Sequence, residues 1–204
     1  MSFYQRYLLP YLTHVAMRQK QLLPFRTRAA GAARGLVLEI GIGSGLNLPL
    51  YGPEAEMLIG LEPSFGLLTL ARRRASSCRA PVCLLDASAE AIPLERASVD
   101  CVLSTWTLCT IPDAPAALAE IRRVLKPGGV FFFVEHGRAP EPRIARWQDR
   151  LDRPWSRIAG GCHLNRKIDA LVEENGFRIL SLAHDRLFGP PTHTFLYEGA
   201  ARPR

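Results

Sequence analysis

From Gly35 onward, short runs of β-branched and apolar residues alternate with stretches of helical periodicity. That alternation is the mark of βαβ units wound into a parallel sheet. The runs predict strands near 36–40, 57–62, 81–86, 99–104 and 130–135. Between them, apolar spacings of three and four predict helices near 45–51, 64–76, 113–125 and 166–175. Two late runs, 177–186 and 193–199, read as strands joined by the turn Gly189-Pro190-Pro191. The expected architecture is α/β: a doubly wound, mostly parallel seven-stranded sheet with an antiparallel last strand.

Two segments depart from this rhythm. At the N-terminus, Tyr4, Leu8, Tyr11, Leu12 and Val15 recur at helical spacing, with Pro10 expected to break or kink the helix. An apolar, aromatic-rich face backed by arginine and lysine has two readings, a lid over a site mouth or a dock on an anionic membrane surface. The stretch 137–163 holds Trp147, Trp155, Pro140, Pro142, Pro154 and six arginines, then Gly160-Gly161-Cys162-His163. An insertion after the fifth strand sits at the carboxyl edge of the sheet, where open α/β folds bind ligands. It is the candidate substrate cap, with its arginines reading equally as a solvated helix face. The chain therefore divides into a basic segment, 1–34, and one domain, 35–204, with a cap at about 137–165.

Composition narrows the function classes. At 204 residues, 48% apolar and 22% charged, the chain suits one folded domain. No apolar run is long enough to span a membrane, and no signal-peptide pattern occurs. Five cysteines without a CxxC fit reduced thiols in a cytoplasmic protein and no metal site. The net charge of +7 is concentrated: Arg6, Arg18, Lys20, Arg26, Arg28 and Arg34 lie in 1–34, which has no acidic residue. A near-neutral body with a basic leader is not the footprint of a nucleic-acid reader. The expectation is no nucleic-acid partner, a small-molecule substrate, and peripheral contact with the inner face of the membrane through residues 1–34 as the alternative to a purely cytoplasmic site of action. Nothing in the pattern fixes an oligomeric state.

The strongest local signal is LVLEIGIGSGLNLPLY, a strand running into Gly41-x-Gly43-x-Gly45 and then an expected helix. Glycines let backbone approach a ligand closely, and a helix start offers free amides. A dinucleotide fingerprint wants its third glycine where Leu46 stands. Glu62 ends the next strand, about 20 residues on, the spacing at which a carboxylate accepts ribose hydroxyls.

With DASAEAIPL after the third strand, VDCVLSTWTLC as the fourth and LKPGGVFFFVEH as the fifth, the order of these pieces resembles the class I S-adenosylmethionine-dependent methyltransferases over about residues 35–136. The resemblance implies a Rossmann-like methyltransferase fold, S-adenosyl-L-methionine as cofactor and S-adenosyl-L-homocysteine as product. It implies that Glu39, Gly41, Gly43 and Gly45 surround the amino-acid part of the cofactor. Glu62 would hold the ribose, Pro63 would lie beside the adenine, and Ser88, Ala89 and Glu90 would flank it, with Thr105 opening the loop after the fourth strand. The family often has Asp where Ser88 stands; Asp86 is the nearby substitute or a plain strand end.

Methyl transfer from a sulfonium is an in-line displacement, so the protein chiefly aligns the reactants and excludes water. No zinc spacing and no Ser–His–Asp arrangement is legible. His136, directly after the fifth strand, and Cys162 with His163 in the cap are the candidate groups for handling an acceptor's proton. Trp106, Trp147 and Trp155 are the candidate pocket walls. Beyond this, STWTLCTIPD, LKPGGVFFFVEHGRAPEP and WQDRLDRPWSRIAGGCHLNRKIDALVEENGF resemble the alkyl thiol S-methyltransferases of animals and their bacterial relatives over about residues 36–180. That likeness, which includes Glu135-His136, Trp147-Gln148, Trp155 and Gly161-Cys162, implies S-methylation of hydrogen sulfide, methanethiol or another small thiol. The animal members' hydrophobic N-terminal anchor is replaced here by the basic leader. Phosphatidylethanolamine N-methyltransferases share the general appearance, so a lipid amine acceptor is the alternative, with cofactor binding without catalysis as a third.

Overall fold

A computed structural model describes Tyr4 and residues 8–204; Arg6 of the basic leader lies outside them. Seven strands, β1 (Gly35–Ile40), β2 (Ala55–Leu61), β3 (Val82–Leu85), β4 (Val99–Thr105), β5 (Leu125–His136), β6 (Phe177–Arg186) and β7 (Phe195–Pro203), form one sheet. Their order is β3-β2-β1-β4-β5-β7-β6. β1 to β5 run parallel, and β7 runs antiparallel to both β5 and β6. The central strands are near-continuous apolar runs because helices cover both faces. In β1, Val37, Leu38, Glu39 and Ile40 are all buried.

Among the described residues the six α-helices are α1 (Leu9–Ala16), α2 (Leu23–Gly31), α3 (Phe65–Arg74), α4 (Ala114–Val124), α5 (Pro142–Ile158) and α6 (Ile168–Glu174). α4 shows how pattern becomes packing. Asp113 caps it by accepting from the Ala116 N–H at 2.9 Å. Ala114, Ala117, Leu118, Ile121 and Val124 then turn one face onto the sheet. The core lies in two bodies, one on each face: Leu118, Ile121, Phe131, Phe133 and Phe177 on one, and Phe25, Ala30, Leu48, Leu103 and Val134 on the other.

Two expectations change. The helix near 45–51 is a single 3-10 turn, Leu48–Leu50. Pro49 and Pro53 have no N–H to give to the carbonyls four residues back. The Gly45 carbonyl instead accepts from Leu48 at 3.3 Å. The amides of the glycine loop are therefore presented by a tight turn and not by a helix start. The break expected at Pro10 falls where residues 5–7 lie outside the described ones; α1 begins at Leu9 and holds Pro10 in its first turn, where a missing N–H costs nothing. Inside 137–163 stands the 17-residue helix α5, with Pro142 at its start and Pro154 within it. Its residues Arg143, Arg146, Arg150 and Arg153 are exposed, the solvated-face reading.

β1 sits between β2 and β4, so the chain reverses direction across the sheet there. The crevice this leaves at the carboxyl ends of β1 and β4 is the binding position of the architecture.

Candidate active site

The loop leaving β1 turns on glycines with φ near +60°: Gly41 at +59°, Gly43 at +58° and Gly45 at +75°. A Cβ at Gly41 would overlap the Thr107 side chain, and one at Gly45 would meet Leu48 Cδ1 at 2.6 Å. Only glycine meets both demands, the left-handed backbone and the close approach.

Glu62, at the carboxyl end of β2, closes on this loop. Its carboxylate accepts from the Gly43 N–H at 3.0 Å and from the Ser64 N–H at 2.8 Å. Burial raises its pKa, and those two bonds hold it back. Pro63 beside it is exposed. Across the crevice, Ser88 Oγ donates to Glu90 Oε2 at 2.9 Å, while Glu90 Oε1 accepts from the Asp113 N–H at 2.8 Å. Ala89 between them is buried, and Asp86 is exposed.

Glu39 faces the interior. It accepts from Asn47 Nδ2 at 2.7 Å and from the Tyr51 hydroxyl at 2.6 Å. Burial pushes its pKa up to about 7, against those bonds and the nearby Arg26. Asn47 also donates to Thr105 Oγ1 at 3.0 Å and accepts from Arg26 Nη1 at 2.8 Å. Glu39 and Thr105 thus belong to a buried network under the glycine loop. Its other members, Arg26, Asn47 and Tyr51, were not singled out from sequence; Asn47 and Tyr51 lie in the quoted glycine segment, and Arg26 was read only as surface charge.

The leader folds onto the same loop. His14 Nδ1 and Ser44 Oγ are 2.7 Å apart, and α1 packs against α3. Pro10 and His14 are its buried residues. Of the apolar face read from sequence, Leu8, Tyr11, Leu12 and Val15 point outward, Tyr11 being 63% exposed and Val15 50%, while the Tyr4 hydroxyl donates to the Ile158 carbonyl at 2.6 Å.

At the carboxyl edge of β4 and β5 a second group assembles. Trp106 carries φ +53°, an uncommon backbone for a bulky residue, and its N–H bonds Val134. The next residues are held by Glu135, fully buried, which accepts from Ser104 Oγ at 2.6 Å, Thr107 N at 3.1 Å and Cys109 N at 3.2 Å. Those bonds counter the upward push of burial on its pKa. The loop so shaped puts Cys109 Sγ 3.9 Å from Cys162 Sγ, and Cys162 Sγ is 3.9 Å from His136 Nδ1. Gly161, φ +93°, allows the approach, since a Cβ there would meet the Thr110 carbonyl at 2.9 Å. The contact with Cys109 holds the Cys162 thiol below the usual range, and the same contact with burial pushes Cys109 well above it.

Of the residues picked from sequence, His136 and Cys162 meet; His163 does not join them. Its Nδ1 lies 2.9 Å from Asp152 of α5, and its N–H bonds the Cys109 carbonyl at 2.7 Å. Trp155 packs edge-on against His193, ring centroids 4.4 Å apart. Trp147 is 54% exposed, with Arg150 5.2 Å above its ring. Cys109 was missed because it lies 53 residues before Cys162 and no spacing rule joins the two.

Three comparisons bear on this arrangement. Residues 38–133 match a family described as a methyltransferase domain. The chain is 30% identical over 188 residues to thiol S-methyltransferase TMT1A of Homo sapiens, across 89% of this chain and 76% of that protein. It is 32% identical over 149 residues to thiol S-methyltransferase TMT1B of Rattus norvegicus, across 72% of this chain and 61% of that one. In fold it is similar to a SAM-dependent methyltransferase of Thermotoga maritima, with a TM-score of 0.66, 24% identity and 97% of each chain covered. With a glycine loop and a carboxylate at the switch point of a seven-stranded mixed sheet, the chain belongs to the class I S-adenosylmethionine-dependent methyltransferases.

Proposed function

We propose that the chain S-methylates a small thiol or sulfide, with S-adenosyl-L-methionine as donor. The observation that carries this reading is the short bridge between two groups. Thr107 Oγ1 reaches the Ile40 and Gly41 carbonyls at 3.3 and 3.4 Å, and Cys109, two residues on, belongs to the thiol–imidazole cluster. A donor on the glycine loop and a sulfur acceptor at the cluster would be neighbours. The thiol S-methyltransferase relatives support the same acceptor class.

In this reading Gly41, Gly43 and Gly45 cradle the amino-acid part of the cofactor and Glu62 takes the ribose hydroxyls. Pro63, Ser88, Ala89 and Glu90 border the adenine. Glu39 and Thr105 act through Asn47, holding the loop in shape. The acceptor sulfur attacks the sulfonium methyl in line and S-adenosyl-L-homocysteine leaves, so no protein nucleophile takes part. His136 and Cys162 border that sulfur, Trp106 and Trp155 wall it, and Trp147 lies at the rim. His163 positions the Cys109 loop. The described part of residues 1–34 forms the lid, and 137–165 the cap. The outward face of α1 favours peripheral contact with an anionic membrane as well, although no described helix is long and apolar enough to cross one.

Methyl tracing from labelled S-adenosyl-L-methionine tests this, with sulfide, methanethiol, longer alkyl thiols and phosphatidylethanolamine vesicles offered in parallel. Label in methanethiol or a thioether is expected. Label in the lipid fraction alone, or in none, overturns the thiol reading.

A further inference from the structure

Cys109, His136 and Cys162 have the composition of a metal centre as well as its shape. Their donor atoms all lie within 4.8 Å of one another, with two of the separations at 3.9 Å. Tetrahedral zinc, with bonds of about 2.3 Å to sulfur and about 2.0 Å to nitrogen, sets its donors about 3.5–3.8 Å apart. The side chains therefore need to close only slightly to hold the ion. Two thiolates and an imidazole are a soft donor set, suited to zinc and not to magnesium or calcium.

The backbone holds the donors in place. His136 ends a strand paired on both sides. Glu135 fixes the Cys109 amide, and the His163 N–H fixes the Cys109 carbonyl. Glu135 is occupied by Ser104, Thr107 and Cys109, so it is not a fourth ligand. The charges also balance: a divalent cation neutralises two thiolates, and Arg166, bonded to the Leu108 carbonyl, lies close enough to Glu135 and both cysteines to offset the carboxylate.

We propose that Cys109, His136 and Cys162 form a three-ligand site for a soft divalent cation, zinc foremost, whose open fourth position takes the sulfur of the methyl acceptor. The cation site stands on the geometry alone; its occupant rests on the thiol reading above. An acceptor R–SH binds as R–S⁻, its proton passing to buffer. The bound sulfur forms a bond to the methyl carbon as the bond from that carbon to the cofactor's sulfonium breaks. R–S–CH3 and neutral S-adenosyl-L-homocysteine result, and the cation keeps its oxidation state. A coordinated thiol is deprotonated at neutral pH, whereas a free one of pKa about 8.5 is mostly protonated.

The test uses the full chain purified under reducing conditions without chelator. Metal analysis is expected to find about one zinc per chain, and cobalt replacement to give an intense sulfur-to-metal charge-transfer band. Cys109→Ser and Cys162→Ser should lose the band, while Cys78→Ser keeps it; circular dichroism checks that each variant is folded. Methanethiol should shift the cobalt spectrum without any methyl donor present. Folded protein that binds neither zinc nor cobalt overturns the proposal, as does undiminished thiol methylation by chelator-stripped protein; in that last case the thiol function itself stands. A bound metal with no thiol methylated supports the site and overturns only the thiol function.

Discussion

Arg26 lies over the face of Trp106, its guanidinium carbon 4.8 Å from the ring centroid. One partner comes from the basic leader, the other from the loop after β4, so the segment that supplies the positive charge is built into the site. Arg26 is buried, with Nη1 on Asn47 and Nε without a partner among the described residues. Burial lowers its pKa to about 10, which leaves it charged at neutral pH. Replacing it by Met keeps the stem over the ring and strands the Asn47 carbonyl and Glu39. We expect Arg26→Met to cost about 1–3 kcal/mol in urea unfolding, with Arg26→Lys costing less. Equal loss in both would show that packing, not charge, is what matters.

Glu39 makes stability depend on pH. Its folded pKa, about 7, is raised above the unfolded value. The folded state therefore holds a proton that the unfolded chain has released, and stability falls as pH rises through the window from about 4.5 to about 7. The slope is at most about 1.4 kcal/mol per pH unit. Glu39→Gln should flatten that decline, read as the difference between variant and parent in urea midpoints at pH 5 and pH 8. An unchanged pH profile would assign the decline elsewhere.

Glu62 is the direct test of the cofactor assignment. Glu62→Ala should weaken S-adenosyl-L-homocysteine binding in calorimetry by about 1–3 kcal/mol, through the lost ribose bonds and the loosened Gly43 amide. A 2′,3′-dideoxy analogue should bind parent and variant with a much smaller difference. If parent and variant bind the natural product alike, the ribose lies elsewhere.

The outward face of α1 can be emptied without touching the core. Tyr11→Ser, Leu12→Ser and Val15→Ser together should reduce partitioning onto anionic vesicles at least tenfold, while stability stays within about 0.5 kcal/mol per site. Turnover of soluble thiols should persist, since His14 still reaches Ser44. Undiminished vesicle binding would remove this face as the dock.

The sheet was legible because its strands are short apolar runs bounded by turn residues, and buried parallel strands leave that trace. The glycine loop and Glu62 were legible for the same local reason: each needs a particular residue at a particular place in a strand-to-turn junction. What failed was long-range or ambiguous. Leu48 and Tyr51 have the three-residue spacing of a helix face, yet their apolar character serves a buried 3-10 turn that Pro49 and Pro53 keep from lengthening. In α5, Pro142, Pro154 and the exposed arginines hid a helix that buries Ala145 and Gln148. Arg26 counted as surface charge in sequence and is interior in the fold. Cys109 and Cys162 meet only because α5 and two left-handed glycines carry the chain back across the sheet edge.

The placement of β7 between β5 and β6 bears on the order of synthesis. The glycine loop and Glu62 need only β1, β2 and β4, all complete by Thr105. The edge that carries His136 is different: His136 is paired with Leu196, and the Gly137 N–H bonds the Phe195 carbonyl. On the proposed function, a chain emerging from the ribosome thus has the parts of a methyl-donor cradle long before it can have an acceptor side. That side is complete only once β7 lies between β5 and β6.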